Sequence, residues 1–216
     1  MLRTRVKASS ITNLTDARYF AAWGVDWMGF CLDPAAETYL SPRQLEAIRA
    51  WVDGPRYVGE FNLQTSDEIG QAIEMLKLDA IQAGPFTPAE VLQELDSPVP
   101  VIKEFALDRD TEAGALREAF ETFAPLAGTF LIDAQRSGLS WSDLQAGRPF
   151  SLDLLSALCE TYPTLLALDI EPAQLEAFLA ALNPLGLSLR GGAEERVGFK
   201  SFDELDDLFE ALEDVG

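Results

Sequence analysis

Residues 101–133 read VIKEFALDRDTEAGALREAFETFAPLAGTFLID, two short apolar runs separated by a longer segment. Val101-Ile102-Lys103-Glu104-Phe105 and Thr129-Phe130-Leu131-Ile132-Asp133 are rich in β-branched and aromatic residues, the composition of strands buried on both faces. Between them, 111–123 carries its apolar residues at helical spacing. Strand, helix, strand is the unit of a parallel α/β fold, because parallel neighbours need a crossover connection.

The alternation continues outward in both directions. Strands are expected at 5–9, 27–31, 57–61, 80–82, 101–105, 129–133, 164–168 and 188–190, and helices at 14–22, 42–51, 66–76, 88–95, 111–123, 152–161, 172–182 and 202–212. Several helices open on a cap or a first-turn proline, as at Ser41-Pro42, Thr87-Pro88 and Glu171-Pro172. Eight such units suit a closed barrel of roughly 250 residues better than an open sheet, and no glycine-rich dinucleotide turn supports the doubly wound alternative. The expected fold class is therefore α/β, a single closed (β/α)8 TIM barrel spanning 1–216, with any ligand site at the carboxyl ends of its strands. The one long connection, 134–150, reads as a lid or as a tolerated surface insertion.

Composition narrows the partners. Thirty-six acidic residues against 16 basic ones leave a net charge of −20, which repels nucleic acid and anionic membrane surfaces alike. Twelve arginines against four lysines, with acidic residues spread along helices, suggest a halophile's solvated surface. The acidic run 203–214 reads as helix surface, since Phe202, Leu205, Leu208, Phe209 and Leu212 thread an apolar stripe through it. No apolar stretch has the length of a membrane span, and Met1-Leu2-Arg3-Thr4-Arg5 runs into a strand rather than a leader, so a cytoplasmic location is expected. Cys31 and Cys159 lie far apart in a chain without histidine, which argues for buried free thiols over a disulfide framework or a zinc site. No metal or cofactor is expected, and nothing in the sequence bears on self-association. Trp23, Trp27 and Trp51 read as core or helix-to-barrel packing.

At the strand ends, a family pattern is visible. Val6-Lys7-Ala8-Ser9-Ser10-Ile11-Thr12-Asn13-Leu14-Thr15-Asp16-Ala17 resembles the first strand and turn of phosphoribosylanthranilate isomerase, K-I-C-G-I-T-N-x-x-D-A. Further pieces follow in order: Gly24-Val25-Asp26-Trp27-Met28-Gly29-Phe30 resembles G-A-D-x-x-G-F, and Tyr39-Leu40-Ser41-Pro42 resembles Y-V-S-P. Arg56-Tyr57-Val58-Gly59 with Phe61, then Leu78-Asp79-Ala80-Ile81-Gln82, are similar to R-x-V-G-V-F and L-D-x-V-Q-L-H-G. Pro100-Val101-Ile102-Lys103, Leu131-Ile132-Asp133-Ala134 and Gly192-Ala193-Glu194 complete a resemblance that covers essentially the whole chain.

The resemblance implies an Amadori rearrangement in tryptophan biosynthesis. A general acid protonates the ribose ring oxygen, a general base removes a proton from the sugar carbon, and backbone amides hold the phosphate. It places the acid at Asp133, where the alternative is a cap or loop aspartate, and the base at position 9, where the family's cysteine is Ser9. A serine hydroxyl is too weakly acidic to act as base without an activating neighbour. Lys7, Gln82, Arg190, Gly191 and Gly192 are the candidate ligand-binding residues, for a small phosphorylated metabolite.

Other positions depart from the pattern. The arginine preceding Y-V-S-P is Thr38, and the histidine and glycine after strand four are Gly84 and Pro85. The strand-seven A-G-G is Ala167-Leu168-Asp169, whose carboxylate would repel a phosphate. Arg190 either supplies replacement positive charge or fills the altered phosphate site by pairing with Asp169. Glu60 and Glu104 replace small or apolar residues, and if they point inward they meet Lys7 or Lys103 in an ionic core or form a new acid/base pair. Cys31 is a substitute nucleophile or, more simply, packing. The expectation is thus a divergent barrel in which the isomerase reaction is lost or impaired, with two alternatives. One is an active isomerase using Asp133; the other is a different small-molecule enzyme using Glu60, Glu104 and Asp133.

Overall fold

A computed structural model describes residues 1–191, 194–196, 199–200 and 202–213. Eight parallel strands close into a barrel: β1 (Arg5–Ser9), β2 (Trp27–Cys31), β3 (Arg56–Phe61), β4 (Ala80–Ala83), β5 (Val101–Ala106), β6 (Thr129–Asp133), β7 (Thr164–Ala167) and β8 (Gly186–Arg190). The closing seam pairs β1 with β8, from Arg5 opposite Gly186 to Ser9 opposite Arg190. Around the sheet lie α1 (Leu14–Ala22), α2 (Pro42–Arg49), α3 (Ser66–Leu76), α4 (Ala89–Leu95), α5 (Ala113–Phe123), α6 (Trp141–Gln145), α7 (Leu152–Thr161), α8 (Leu175–Leu182) and α9 (Asp203–Leu212). The expected TIM barrel is the fold observed.

Strand alternation divides the apolar residues into two cores. Trp27, Val58, Ala80, Ile102, Leu131, Leu165 and Ala167 form the smaller cluster, which fills the barrel's interior. The outward residues form the larger cluster with the helices. Its aromatic centre is Phe105, Phe120, Phe130 and Tyr162, with the Phe120 and Phe130 rings 4.5 Å apart. Each fully buried phenylalanine of this kind stabilises the fold by about 1.5–3 kcal/mol. Trp23 stacks on Phe209 at 5.0 Å, tying α1 to α9 and so the first unit to the last. Trp51, expected to pack, is instead 69% exposed, with Arg18 over its ring. It lies beyond the end of α2, between Ile48 and Val52, whose side chains enter the core in its place.

Three features escape strand-and-helix periodicity. Residues 172–182 begin as a 3-10 turn, Pro172–Gln174, before α8. A two-stranded hairpin, β9 (Glu194–Arg196) with β10 (Phe199–Lys200), follows the barrel's last strand. The 134–150 connection holds a 3-10 turn at Gln135–Ser137 and then α6. Its Leu139, Trp141 and Leu144 are buried in the main core, and Ser140 bridges Asp169. Trp141 sets its ring edge-on to Phe178, so the middle of this connection is packed onto the barrel.

Candidate active site

The inward alternation that fills the barrel floor with apolar groups puts polar ones above them. On β1 these are Lys7 and Ser9. Lys7 has no solvent exposure, and its ammonium donates to Ser9 Oγ and pairs with Glu60 Oε1, both at 2.6 Å. The backbone N–H of Ser10 lies 3.2 and 3.1 Å from the two Glu60 oxygens, and the Ser10 hydroxyl donates to Oε2 at 2.9 Å. Ser9 Oγ also shares a hydrogen bond of 2.7 Å with Ser188 Oγ on β8. Burial would raise the Glu60 carboxyl, but the Lys7 charge and the Lys7 and Ser10 hydrogen bonds outweigh it and hold Glu60 below the usual carboxylate range.

Two backbone facts allow this arrangement. Gly29 on β2 faces the pair, and a Cβ there would stand 1.9 Å from Glu60 Oε1 and 2.5 Å from Lys7 Nζ. Ser10 adopts φ 53°, a left-handed conformation that turns its N–H and hydroxyl back onto Glu60. The family pattern has glycine at that position.

Across the barrel the groups are less completely partnered. Gln82 Nε2 on β4 donates to Glu104 Oε2 on β5 at 2.7 Å. Glu104 Oε1 and Gln82 Oε1, both buried, accept no hydrogen bond among the described residues. Arg136 comes no nearer than 3.8 Å to Glu104 Oε1. Burial raises the Glu104 carboxyl, the Arg136 charge opposes this, and the neighbouring Asp133 and Glu60 charges add to it. Asp133, 1% exposed at the end of β6, is held by two guanidinium groups. Arg136 Nε reaches Asp133 Oδ2 at 2.9 Å, Arg190 pairs with the same oxygen, and the Arg136 backbone N–H donates to Oδ1 at 3.2 Å.

These placements decide between several expectations. Glu60 does meet Lys7. Glu104 does not meet Lys103, which stands one position before it and therefore points out of the barrel; its ammonium donates to the carbonyls of Gly84 and Thr87 at 2.6 and 3.0 Å. Burial lowers the Lys103 ammonium to about 8. Arg190 does not pair with Asp169 but with Asp133, and Asp169 accepts instead from Gln135 Nε2 at 3.0 Å. The carbonyl of Asp169 is taken by the Trp141 N–H, so the chain after β7 is stitched to the 134–150 connection. Gly191 is half-buried next to Arg190, and Gly192 lies outside the described residues. Cys31 and Cys159 are both free and buried, and burial raises the Cys31 thiol and pushes that of Cys159 up to about 12.

A pocket of about 120 Å³ opens at this end of the barrel, with Cys31, Asp33, Glu60, Gln82, Glu104 and Arg136 in its wall. Arg136, Ser188, Ser10 and Gly29 were not singled out from the sequence. Two of them had signals: Ser188 lies two positions before Arg190 on the same strand face, and Arg136 is a cation three residues past the candidate acid.

Comparison with known proteins agrees with this architecture. Residues 6–211 match the family described as N-(5'phosphoribosyl)anthranilate (PRA) isomerase. The N-(5'-phosphoribosyl)anthranilate isomerase of Rubrobacter xylanophilus is 30% identical over 199 residues, covering 91% of this chain and 93% of the relative. The crystal structure of phosphoribosyl anthranilate isomerase from Thermus thermophilus is 31% identical, with a TM-score of 0.73 over 96% of this chain and 98% of that one. A phosphoribosyl anthranilate isomerase structure in complex with reduced 1-(o-carboxyphenylamino)-1-deoxyribulose 5-phosphate superposes with a TM-score of 0.76 at 20% identity, covering 97% and 98% of the two chains. On the matched length and on these identities, the chain belongs to the N-(5'-phosphoribosyl)anthranilate isomerase family.

Proposed function

We propose that this chain is a family member in which the isomerase reaction is lost or strongly impaired, leaving a barrel that binds a small molecule at its strand ends. The observation that carries the reading is the state of Asp133. A general acid must present a protonated oxygen to the substrate, yet Oδ2 is shared by two arginines and Oδ1 accepts the Arg136 N–H. At the position of the base, the Ser9 hydroxyl is fixed between Lys7 and Ser188, and an adjacent ammonium accepts no proton from it. The strand-seven change supports the same reading, since Asp169 puts a carboxylate beside the former phosphate site.

A second reading has two observations in its favour. Asp133 stays buried at the end of β6, the family's acid position, and burial raises the nearby Glu104 carboxyl towards the range of a useful base. Glu60, by contrast, is engaged by Lys7 and Ser10 and is poorly placed for acid/base work in any third reaction.

The assay is the fluorescence decay of phosphoribosylanthranilate with purified protein, at low and high salt. Turnover is expected to fall about 10²–10⁴-fold below the family's ordinary range, the contribution of one lost general acid or base. Turnover inside that range, falling on Asp133→Asn, overturns the reading.

A further inference from the structure

We infer that the pocket walled by Cys31, Asp33, Glu60, Gln82, Glu104 and Arg136 binds a small organic cation, a ligand carrying an ammonium or guanidinium group. The inference deepens the proposed function and rests on it. Glu104 and Gln82 are 3% and 4% exposed, both line the pocket, and each has one buried side-chain oxygen without a hydrogen bond among the described residues. Their other polar atoms are joined to each other at 2.7 Å, so the two side chains are fixed side by side, and what they lack is a donor.

The charge of the wall selects which donor. Three carboxylates, Asp33, Glu60 and Glu104, line the pocket against the Arg136 guanidinium, and Lys7 behind Glu60 is committed to that residue. Arg136 is itself more than half exposed, holds Asp133 through Nε, and remains 3.8 Å from Glu104. An anionic ligand would be repelled by the Glu104 carboxylate and by the other carboxylates of the wall. A neutral polyol could donate but would leave the buried charge uncompensated. An ammonium or guanidinium supplies several N–H donors and the missing charge together. Thr38 also lines this pocket, where the family pattern has an arginine, so a cation that would oppose such a ligand is gone.

Calorimetric titration of the whole chain tests this, using agmatine and butylamine as cations, D-ribose as the neutral donor and anthranilate as the anion. About 0.5 M salt screens the general attraction of an acidic surface for cations. One or both cations should bind saturably at one site per chain, and ribose and anthranilate should not bind at the same concentrations. Glu104→Gln should weaken cation binding at least tenfold, with circular dichroism checking its fold. Thr38→Arg, on the exposed rim, should weaken binding severalfold without touching the core. The inference is overturned if neither cation binds, if ribose or anthranilate binds as well as the cations, or if both variants leave binding unchanged. The isomerase assay separates the two claims. Absent turnover with no cation binding overturns only this inference, whereas turnover in the family's range overturns the reading beneath it.

Discussion

Glu60 and Glu104 occupy equivalent inward positions on β3 and β5, at similar depth and almost equally buried, yet their carboxyls move in opposite directions. Glu60 lies below the usual range because an ammonium, a backbone N–H and a hydroxyl converge on it. Glu104 lies above it because one amide hydrogen bond and a distant guanidinium do not offset its desolvation. Burial is common to both and so decides nothing; what differs is the number of donors delivered by neighbouring strands. The β1–β3 sector of the barrel is a completed ionic network, and the β4–β5 sector is one that still has acceptors to fill.

Breaking the completed side should have the largest effect. Lys7→Met leaves Glu60 buried without its cation and should cost about 3–5 kcal/mol in urea denaturation, whereas Lys7→Met with Glu60→Leu should recover most of that loss. The pH dependence follows from Glu60's depressed folded-state value. Its stabilisation is present above the unfolded carboxyl pKa, about 4.3, and is lost as pH falls through the lower folded value. A pH-stability profile should therefore show the wild type losing part of its advantage over the double variant in acid. If the double variant is as unstable as Lys7→Met alone at neutral pH, pairing is not what sets this sector apart.

The open side should respond with the opposite sign. Glu104→Gln removes a carboxyl whose folded-state value burial has raised, so it should stabilise the chain at neutral pH by on the order of 1–2 kcal/mol. That gain should disappear below the unfolded pKa of about 4.3, where the carboxyl is protonated in both states. A residue that costs stability where it stands, and whose isosteric replacement relieves that cost, is the pattern expected of a group kept for ligand contact. A neutral or destabilising Glu104→Gln at pH 7 would instead put Glu104 in the same class as Glu60.

The contrast between the two sectors was only half legible in the sequence. The barrel followed from short apolar runs alternating with helical segments, because strand and helix periods are local properties of the chain. The Lys7–Glu60 pair was foreseeable once both faced inward, since an interior carboxylate needs a cation. The assignment of Arg190 was not. Whether it meets Asp133 or Asp169 depends on how β6, β7 and β8 stagger, and on the Gln135 amide that takes Asp169 first, neither of which a one-dimensional pattern contains. Lys103 misled for a simpler reason: adjacent to Glu104 in sequence, it is on the opposite face of the strand. Arg136 was hidden in a connection read as a loop, where a 3-10 turn at Gln135–Ser137 returns its side chain to Asp133.

The smallest expected effect tests how the completed sector is held at its edge. Ser10 accepts a left-handed backbone, which costs a non-glycine residue about 1–2 kcal/mol. In return its hydroxyl donates to the charged Glu60, and a hydrogen bond to a charged group contributes about 1.5–3 kcal/mol. Ser10→Gly relieves the first term and loses the second, while Ser10→Ala keeps the strain and loses the hydrogen bond. Both retain the backbone N–H contacts to Glu60, so denaturation midpoints should rank wild type above Ser10→Gly and Ser10→Gly above Ser10→Ala. The gap between the two variants, about 1 kcal/mol, measures the backbone term alone. If Ser10→Gly proves more stable than the wild type, the hydroxyl contributes less than the strain it requires. Glu60 would then be held by Lys7 and the backbone, and a serine in place of the family's glycine would have no account in the ionic network.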